Sequence, residues 1–226
     1  MLVSVVICSW GRPFLRDTLE SLCRQRHELL EIIVVNAAGN SHPPLPDLPW
    51  RSGQAPRFVD GEQALSWAAA ADTGLIAASG EWRCVLEDGD SYEPDFVSSM
   101  LMQAKQHPQA LLIYGHARIS GQSDTQSSTY GIPFNRALLY SKLLFCLPAA
   151  LIHRLVTELG CRPDLSLGSY AQRDFVAQIA QHSELQLVPV TAVCCSLGSD
   201  SNRQPTPLRI MSESQFQLSQ RARPFM

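Results

Sequence analysis

Three carboxylates fall within four residues at Glu87-Asp88-Gly89-Asp90, directly after the apolar run that ends at Leu86. At the mouth of a low-dielectric sheet such like charges repel unless water, a basic side chain or a cation compensates them. Carboxylate oxygens suit Mg²⁺ or Mn²⁺, and these ions complete their shells with phosphate oxygens more readily than with a full protein cage. On this reading Glu87, Asp88 and Asp90 hold an ion against a diphosphate. A second reading stays open on spacing alone: a solvated acidic turn capping the helix after Pro94, where acidic groups favour the helix dipole.

The elements around the turn decide where it sits. Leu2–Cys8 is a largely β-branched apolar run interrupted only by Ser4, as in a strand covered on both faces. The polar turn Ser9-Trp10-Gly11-Arg12-Pro13 follows, then Leu15, Leu19 and Leu22 at helical spacing. Glu31–Val35 repeats the buried-strand pattern and closes on Asn36–Asn40. Five prolines between Ser41 and Pro56 suit a surface connection, and Phe58–Asp60 a short strand. An alanine-rich helix is expected over Glu62–Ala78 with a left-handed cap at Gly80, then a strand over Arg83–Leu86. Phe96, Val97, Met100, Leu101 and Ala104 outline a further helix, and Ala110–Tyr114 a strand. Ser120–Gly131 reads as a mobile loop, Ala150–Leu159 and Ser169–Gln181 as helices, and Leu185–Cys195 as a strand before a polar tail from Gly198. In an open parallel sheet the ligand crevice lies beyond the carboxyl ends of the strands, which selects Ser9–Arg12, Asn36–Asn40 and Glu87–Asp90 for one rim.

Composition narrows the class. The chain has 226 residues, 45% hydrophobic and 17% charged, suited to one compact domain, and its net charge of -3 lacks the basic footprint of a nucleic-acid binder. Seven cysteines, several inside apolar runs, point to reduced thiols and a cytoplasmic location; no Cys-X-X-Cys pair suggests structural zinc, and no secretion signal is visible. The longest apolar stretch, Leu143–Ile152, contains Pro148 and is short of the roughly 20 residues of a spanning helix. It reads as core in preference to an interfacial patch, with peripheral membrane contact left open.

Together, Val3–Ile7, Ser9–Pro13, Leu19–Leu22, Glu31–Val35, Ala78–Trp82, Leu86–Asp90 and Pro94–Phe96 resemble, in order, the opening of family 2 glycosyltransferases. The resemblance covers about residues 1–115 well and the rest loosely. It implies a GT-A fold: a Rossmann-like α/β domain, its mostly parallel central sheet flanked by helices. Residues 1–115 would form the nucleotide-sugar half, 116–197 the acceptor half and 198–226 a polar tail. It further implies an inverting transferase that moves a sugar from a nucleotide-diphosphate donor, UDP being the first expectation, to a glycan, lipid-linked or protein acceptor. The acidic turn would take the Asp-X-Asp role with Mn²⁺ or Mg²⁺, and Ser9, Trp10, Arg12, Asn36, Asp60 and Asp88 would bind the nucleotide.

Four positions depart from the family pattern. Gly89 stands where many relatives carry an acidic residue, and Asn36 where an Asp accepts from uracil. Ala171 and Gln172 occupy the place of the late Glu-Asp motif that supplies the general base, which leaves Asp174 as the nearest carboxylate. The alternative function is therefore a catalytically silent module that binds nucleotide sugars or a partner. The Gln-X-X-Arg-Trp motif of processive relatives is absent, which disfavours a polymerising synthase, and the tail arginines read as ordinary solvated charges in preference to a lid over the diphosphate.

Overall fold

A computed structural model of the chain describes residues 1–120, 127–139 and 144–196. The tail from Gly198, with its arginines, and residues 121–126 of the expected Ser120–Gly131 loop lie outside these residues; Ser127–Tyr130 of that loop is instead a strand, paired antiparallel with the strand that ends at Ser120. Strands β1 (Val3–Ser9), β2 (Leu30–Asn36), β3 (Arg57–Val59) and β4 (Trp82–Glu87) open the chain, with helices α1 (Leu15–Cys23) and α2 (Trp67–Ala77) between them. Then come β5 (Asp90–Tyr92), α3 (Phe96–Gln106), β6 (Leu112–Ser120), β7 (Ser127–Tyr130), α4 (Arg136–Leu139), β8 (Ala150–His153), α5 (Leu155–Glu158), α6 (Ala171–His182) and β9 (Gln186–Ser196). They build one sheet in the order β3-β2-β1-β4-β8-β6-β9-β5, with β7 hydrogen-bonded to β6. β3, β2, β1 and β4 are mutually parallel, as expected. The other half is mixed: β8 runs antiparallel between β4 and β6, and β9 is parallel to β6 but antiparallel to β5.

The β-branched runs are explained by two covered faces. In β1, Val3, Val5 and Ile7 join a core cluster with Leu15, Leu19 and Leu22 of α1 and Phe96 and Met100 of α3. The alternate residues Val6 and Cys8 join a second cluster with Ala70, Ala71 and Leu75 of α2 and Phe175, Val176 and Ile179 of α6. Each fully buried large side chain contributes about 1.5–3 kcal/mol, so the strand ends that carry polar groups stand on rigid supports.

Three further expectations need correction. Ala150–His153 is a strand and only Leu155–Glu158 is helical, because an apolar run without clear period is equally compatible with a buried strand between two others. The alanine-rich helix begins at Trp67, where Ser66 accepts a hydrogen bond from the Ala69 N–H; Ala64 instead bridges to Ala38. The left-handed cap at Gly80 is absent: the helix ends at Ala78 in an extended conformation, and Gly80 serves close packing, since a Cβ there would lie 2.6 Å from the Ser4 nitrogen. The proline-rich connection does run without regular structure, but Leu48 is buried in the first core cluster and Trp50 packs against it. The part of the Leu143–Ile152 stretch that is described, from Leu144, is core.

Candidate functional site

The rim predicted from strand ends exists, and its centre is a lock between two loops. After β1 the chain turns through Gly11 at φ +67, pressed so closely on Pro43 that a Cβ would meet its ring at 2.4 Å. The turn aims the Trp10 and Arg12 backbone N–H groups at one oxygen, Asp88 Oδ2, at 2.8 and 3.2 Å. Asp88 is fully buried. Burial pushes its carboxyl above the usual range; hydrogen bonds from Ser9, Arg12 and Trp10 and the Arg12 charge pull the other way. The third residue of the turn, Gly89, sits at φ +96, a conformation that favours glycine, and its N–H donates to Thr18 Oγ1 of α1 at 2.8 Å. Glu87 donates its backbone N–H to Asp90 Oδ2 at 2.9 Å, closing the turn on itself. The Cys8 thiol lies beneath, held well above its ordinary pKa by burial and then by Glu87, Asp88 and Asp90. The three carboxylates therefore do gather around the end of β1.

Their oxygens do not form a cage. Among the described residues no group of three or more His, Cys, Asp or Glu side chains is arranged to hold an ion. Asp88 is committed to the β1 loop, while Glu87 is half-buried at one end of the turn and Asp90 is buried at the other. That pair fits an ion held chiefly by phosphate oxygens, with one or two protein carboxylates.

The second arm of the rim follows β2. Asn36 Nδ2 donates to Asp60 Oδ1 at 2.7 Å, to the Gly39 carbonyl at 2.9 Å and to the Gly61 carbonyl at 3.3 Å, and Asn36 Oδ1 accepts from the Ala38 N–H at 2.9 Å. The bond from Asn36, and then that from the Gly61 N–H, hold the Asp60 carboxyl below its usual range. Ser9 Oγ lies 2.8 Å from His42 Nε2 and accepts from the Gly11 N–H, so the end of β1 is tied to the loop after β2. Half-buried Trp10 carries the Arg12 guanidinium over its ring at 5.3 Å, within cation–π range.

The third arm is the start of α6. Gln172 Nε2 reaches Glu87 Oε1 at 3.5 Å, a long contact that sets this residue opposite the acidic turn. Asp174 is about 200° further round the helix and takes a hydrogen bond from Gln178 Nε2 at 2.6 Å; Gln178 also donates to the Arg162 carbonyl. The structure thus brings Ser9, Trp10, Arg12, Glu87, Asp88 and Asp90 together, sets Asn36 beside Asp60 on the same rim, and turns Asp174 away from the acidic turn. Thr18, His42 and the Gln172–Glu87 contact were not foreseen as parts of the site. Thr18 gave only a helix-face signal, and His42 lies among prolines.

Comparison with known proteins agrees with this architecture. The family described as "Glycosyl transferase family 2" matches residues 4–158. An uncharacterized glycosyltransferase of Bacillus subtilis (strain 168), YwdF, is 27% identical over 223 residues, covering 92% of this chain and 79% of that protein. Among solved structures, S. aureus TarS 1–349 in complex with UDP-GlcNAc superposes with a TM-score of 0.71 at 12% identity, over 98% of this chain and 65% of that one. A mannosyltransferase from Pyrobaculum calidifontis in complex with GDP-Man and Mn²⁺ gives 0.63 at 14% identity, over 88% of this chain and 58% of its own length. At such identities the likeness is one of fold, GT-A, and the chain spans less than two thirds of these two structures.

Proposed function

The chain belongs to glycosyl transferase family 2, and on that premise we propose that it moves one sugar, with inversion, from a nucleotide-diphosphate donor to an acceptor hydroxyl. The observation that carries this reading is the lock of the β1 loop onto the acidic turn through Asp88, at the carboxyl ends of parallel strands where an α/β sheet takes its ligand. UDP is the donor nucleotide we propose, in line with the UDP-GlcNAc held by TarS. The acceptor is a glycan, a lipid-linked sugar or a protein.

In this reading Trp10 and Arg12 are held in place by Asp88, so that Arg12 offers its positive charge near the diphosphate and Trp10 an aromatic face near the nucleoside. Ser9 and Asp60 contribute polar contacts on either side. Glu87 and Asp90 would hold the ion, Mn²⁺ or Mg²⁺, which when bound neutralises charge on the departing nucleotide. The acceptor oxygen bonds to the anomeric carbon as the bond from that carbon to the phosphate oxygen breaks, and the hydroxyl proton passes to a base; the carboxylate we propose for it is Asp174, which would have to leave Gln178 and swing towards the acidic turn by a rearrangement at the start of α6.

A second reading, a donor-binding module without transfer, is favoured by one observation: Gln172 faces Glu87 where the family carries its Glu-Asp motif, while Asp174 is engaged by Gln178. Transfer and donor hydrolysis measured with Mn²⁺ across UDP, GDP and dTDP sugars, for the wild type, Asp90→Ala and Asp174→Asn, separate the two. Transfer that Asp174→Asn abolishes without loss of nucleotide affinity supports the first reading, and nucleotide binding without turnover the second. If no nucleoside diphosphate binds with either metal, both fall.

A further inference from the structure

The Ser9 hydroxyl has one proton and two acceptors for it. Ser9 is fully buried at the carboxyl end of β1, and its oxygen accepts the Gly11 N–H at 3.2 Å. That oxygen stands 2.8 Å from His42 Nε2 and within hydrogen-bond reach of the Asp88 carboxyl. We infer that His42 is a positioning residue for the donor site: on gaining a proton it turns the Ser9 hydroxyl onto Asp88, tightens the lock of the β1 loop and strengthens the hold on an anionic diphosphate. The inference rests on the nucleotide-sugar reading of the rim and adds to it a residue outside the family pattern.

The contacts fix the tautomer. His42 Nδ1 lies 2.6 Å from the Pro43 carbonyl, which can only accept, so Nδ1 carries its proton in either charge state. In the neutral imidazole Nε2 is therefore bare. It accepts the Ser9 proton, and Asp88 goes without it. When a proton from solvent binds Nε2, the new N–H donates to Ser9 Oγ, whose two lone pairs accommodate it beside the Gly11 N–H. The hydroxyl proton then swings to Asp88, and no bond other than the new N–H is made or broken. One proton from water thus becomes a further hydrogen bond to a buried carboxylate and a positive charge on the rim. The bond steadies the loop that carries Trp10 and Arg12, and the charge attracts the diphosphate.

Half-buried His42 packs on Phe58 of β3, with 5.1 Å between ring centroids. The charged groups around it come from three directions. Beyond β3 stands Asp60, whose carboxyl is held low by the Asn36 amide, then by the Gly61 N–H, and also feels the His42 charge. The β1 loop that presses on His42 through Gly11 carries Arg12, its guanidinium over Trp10. Asp88 is reached through Ser9.

The test titrates the full chain with UDP and Mg²⁺ from about pH 5.5 to 8, the range in which histidine side chains change charge. The wild type is compared with His42→Gln, which keeps a polar group that does not titrate, and with Ser9→Ala, which keeps His42 and removes the hydroxyl. Each wild-type affinity is divided by that of the variant at the same pH, so titration of the terminal phosphate of UDP and of the acidic turn cancels. Against either variant the ratio should rise at least about fivefold from the top of the range to the bottom, the lower end of ordinary coupling between two sites. Calorimetry in buffers of different ionisation enthalpy should show the wild type taking up more protons on binding UDP than either variant. A change in stability alone moves neither readout. A ratio against His42→Gln that is flat with pH overturns the inference. A ratio that rises against His42→Gln but stays flat against Ser9→Ala shows His42 acting by charge alone and overturns the route through Ser9. Both results leave the nucleotide-sugar reading in place. Failure of the wild type to bind UDP anywhere in the range removes that reading and this inference with it.

Discussion

Replacing Asp88 separates its two conceivable roles, anchor and metal ligand. As an anchor it accepts two backbone N–H groups, from Trp10 and Arg12, in a fully buried position. Asp88→Ala orphans both donors. Bonds to a charged acceptor contribute about 1.5–3 kcal/mol each, and relief from burying a charge offsets part of the sum, leaving a net loss of about 2–3 kcal/mol. At about 2–4 °C per kcal/mol for a chain of this size, the melting temperature should fall by about 4–12 °C. Asp88→Asn keeps a carbonyl oxygen for the same two donors and removes the charge, so its stability should stay within about 1 kcal/mol of wild type. The pH dependence carries a sign. Because burial raises the Asp88 pKa in the fold, the fold favours the protonated form. That contribution is fully present below the ordinary Asp range and is lost as pH rises through the raised value. The asparagine variant lacks this loss and should gain on the wild type over that interval. Thermal unfolding between pH 3.5 and 7 measures both effects. Nucleotide titration with and without Mn²⁺ completes the assay, and an anchor-only Asp88 predicts near-wild-type binding for Asp88→Asn. Equal destabilisation by Ala and Asn would refute the acceptor argument. Intact stability with Mn²⁺-dependent binding lost would show that the carboxylate charge itself serves the ion.

Two further outcomes follow from packing. Gly80→Ala places a methyl 2.6 Å from the Ser4 backbone nitrogen and from Ser4 Oγ, so chemical denaturation should report a loss of about 1–3 kcal/mol without change in the slope. Among the described cysteines, Cys8, Cys84, Cys146 and Cys161 are buried, and burial pushes the Cys84 thiol up to about 12. Thiol titration of the native protein at pH 7 should therefore find these four silent and half-buried Cys23 slow, since burial raises its pKa as well.

The parallel half of the sheet was legible because Val5–Ile7 and Ile32–Val35 are apolar at every position, a pattern suited to a strand covered on both sides. The strand-end rule then placed Ser9, Asn36 and Glu87 on one rim before any contact was known. Ala150–His153 was not legible, since an alanine-and-leucine run carries no period and its strand pairing is imposed by β4 and β6. Nor was the commitment of Asp88: its partners are backbone N–H groups far earlier in the chain, and every residue type but proline supplies those. The same holds for Asn36, whose three oxygens come from Gly39, Asp60 and Gly61. Side-chain identity marked where chemistry could occur. Which groups remained available for it depended on backbone geometry that leaves no compositional trace.

The short strand leaving the acidic turn, Asp90–Tyr92, pairs antiparallel with Val193–Cys195 near the end of the described chain. The turn is thus fastened at one end by β4, made early, and at the other by β9, made late. Contacts so distant in sequence form only after a costly loop closure. During synthesis the early parallel strands can gather while Glu87–Asp90 still lacks its second support, so a nascent chain would hold a nearly finished sheet with an unfinished pocket. Ordering of the acidic turn then becomes a late folding event, and slow arrival of β9 would leave the edge of β6 open to mispairing with other chains.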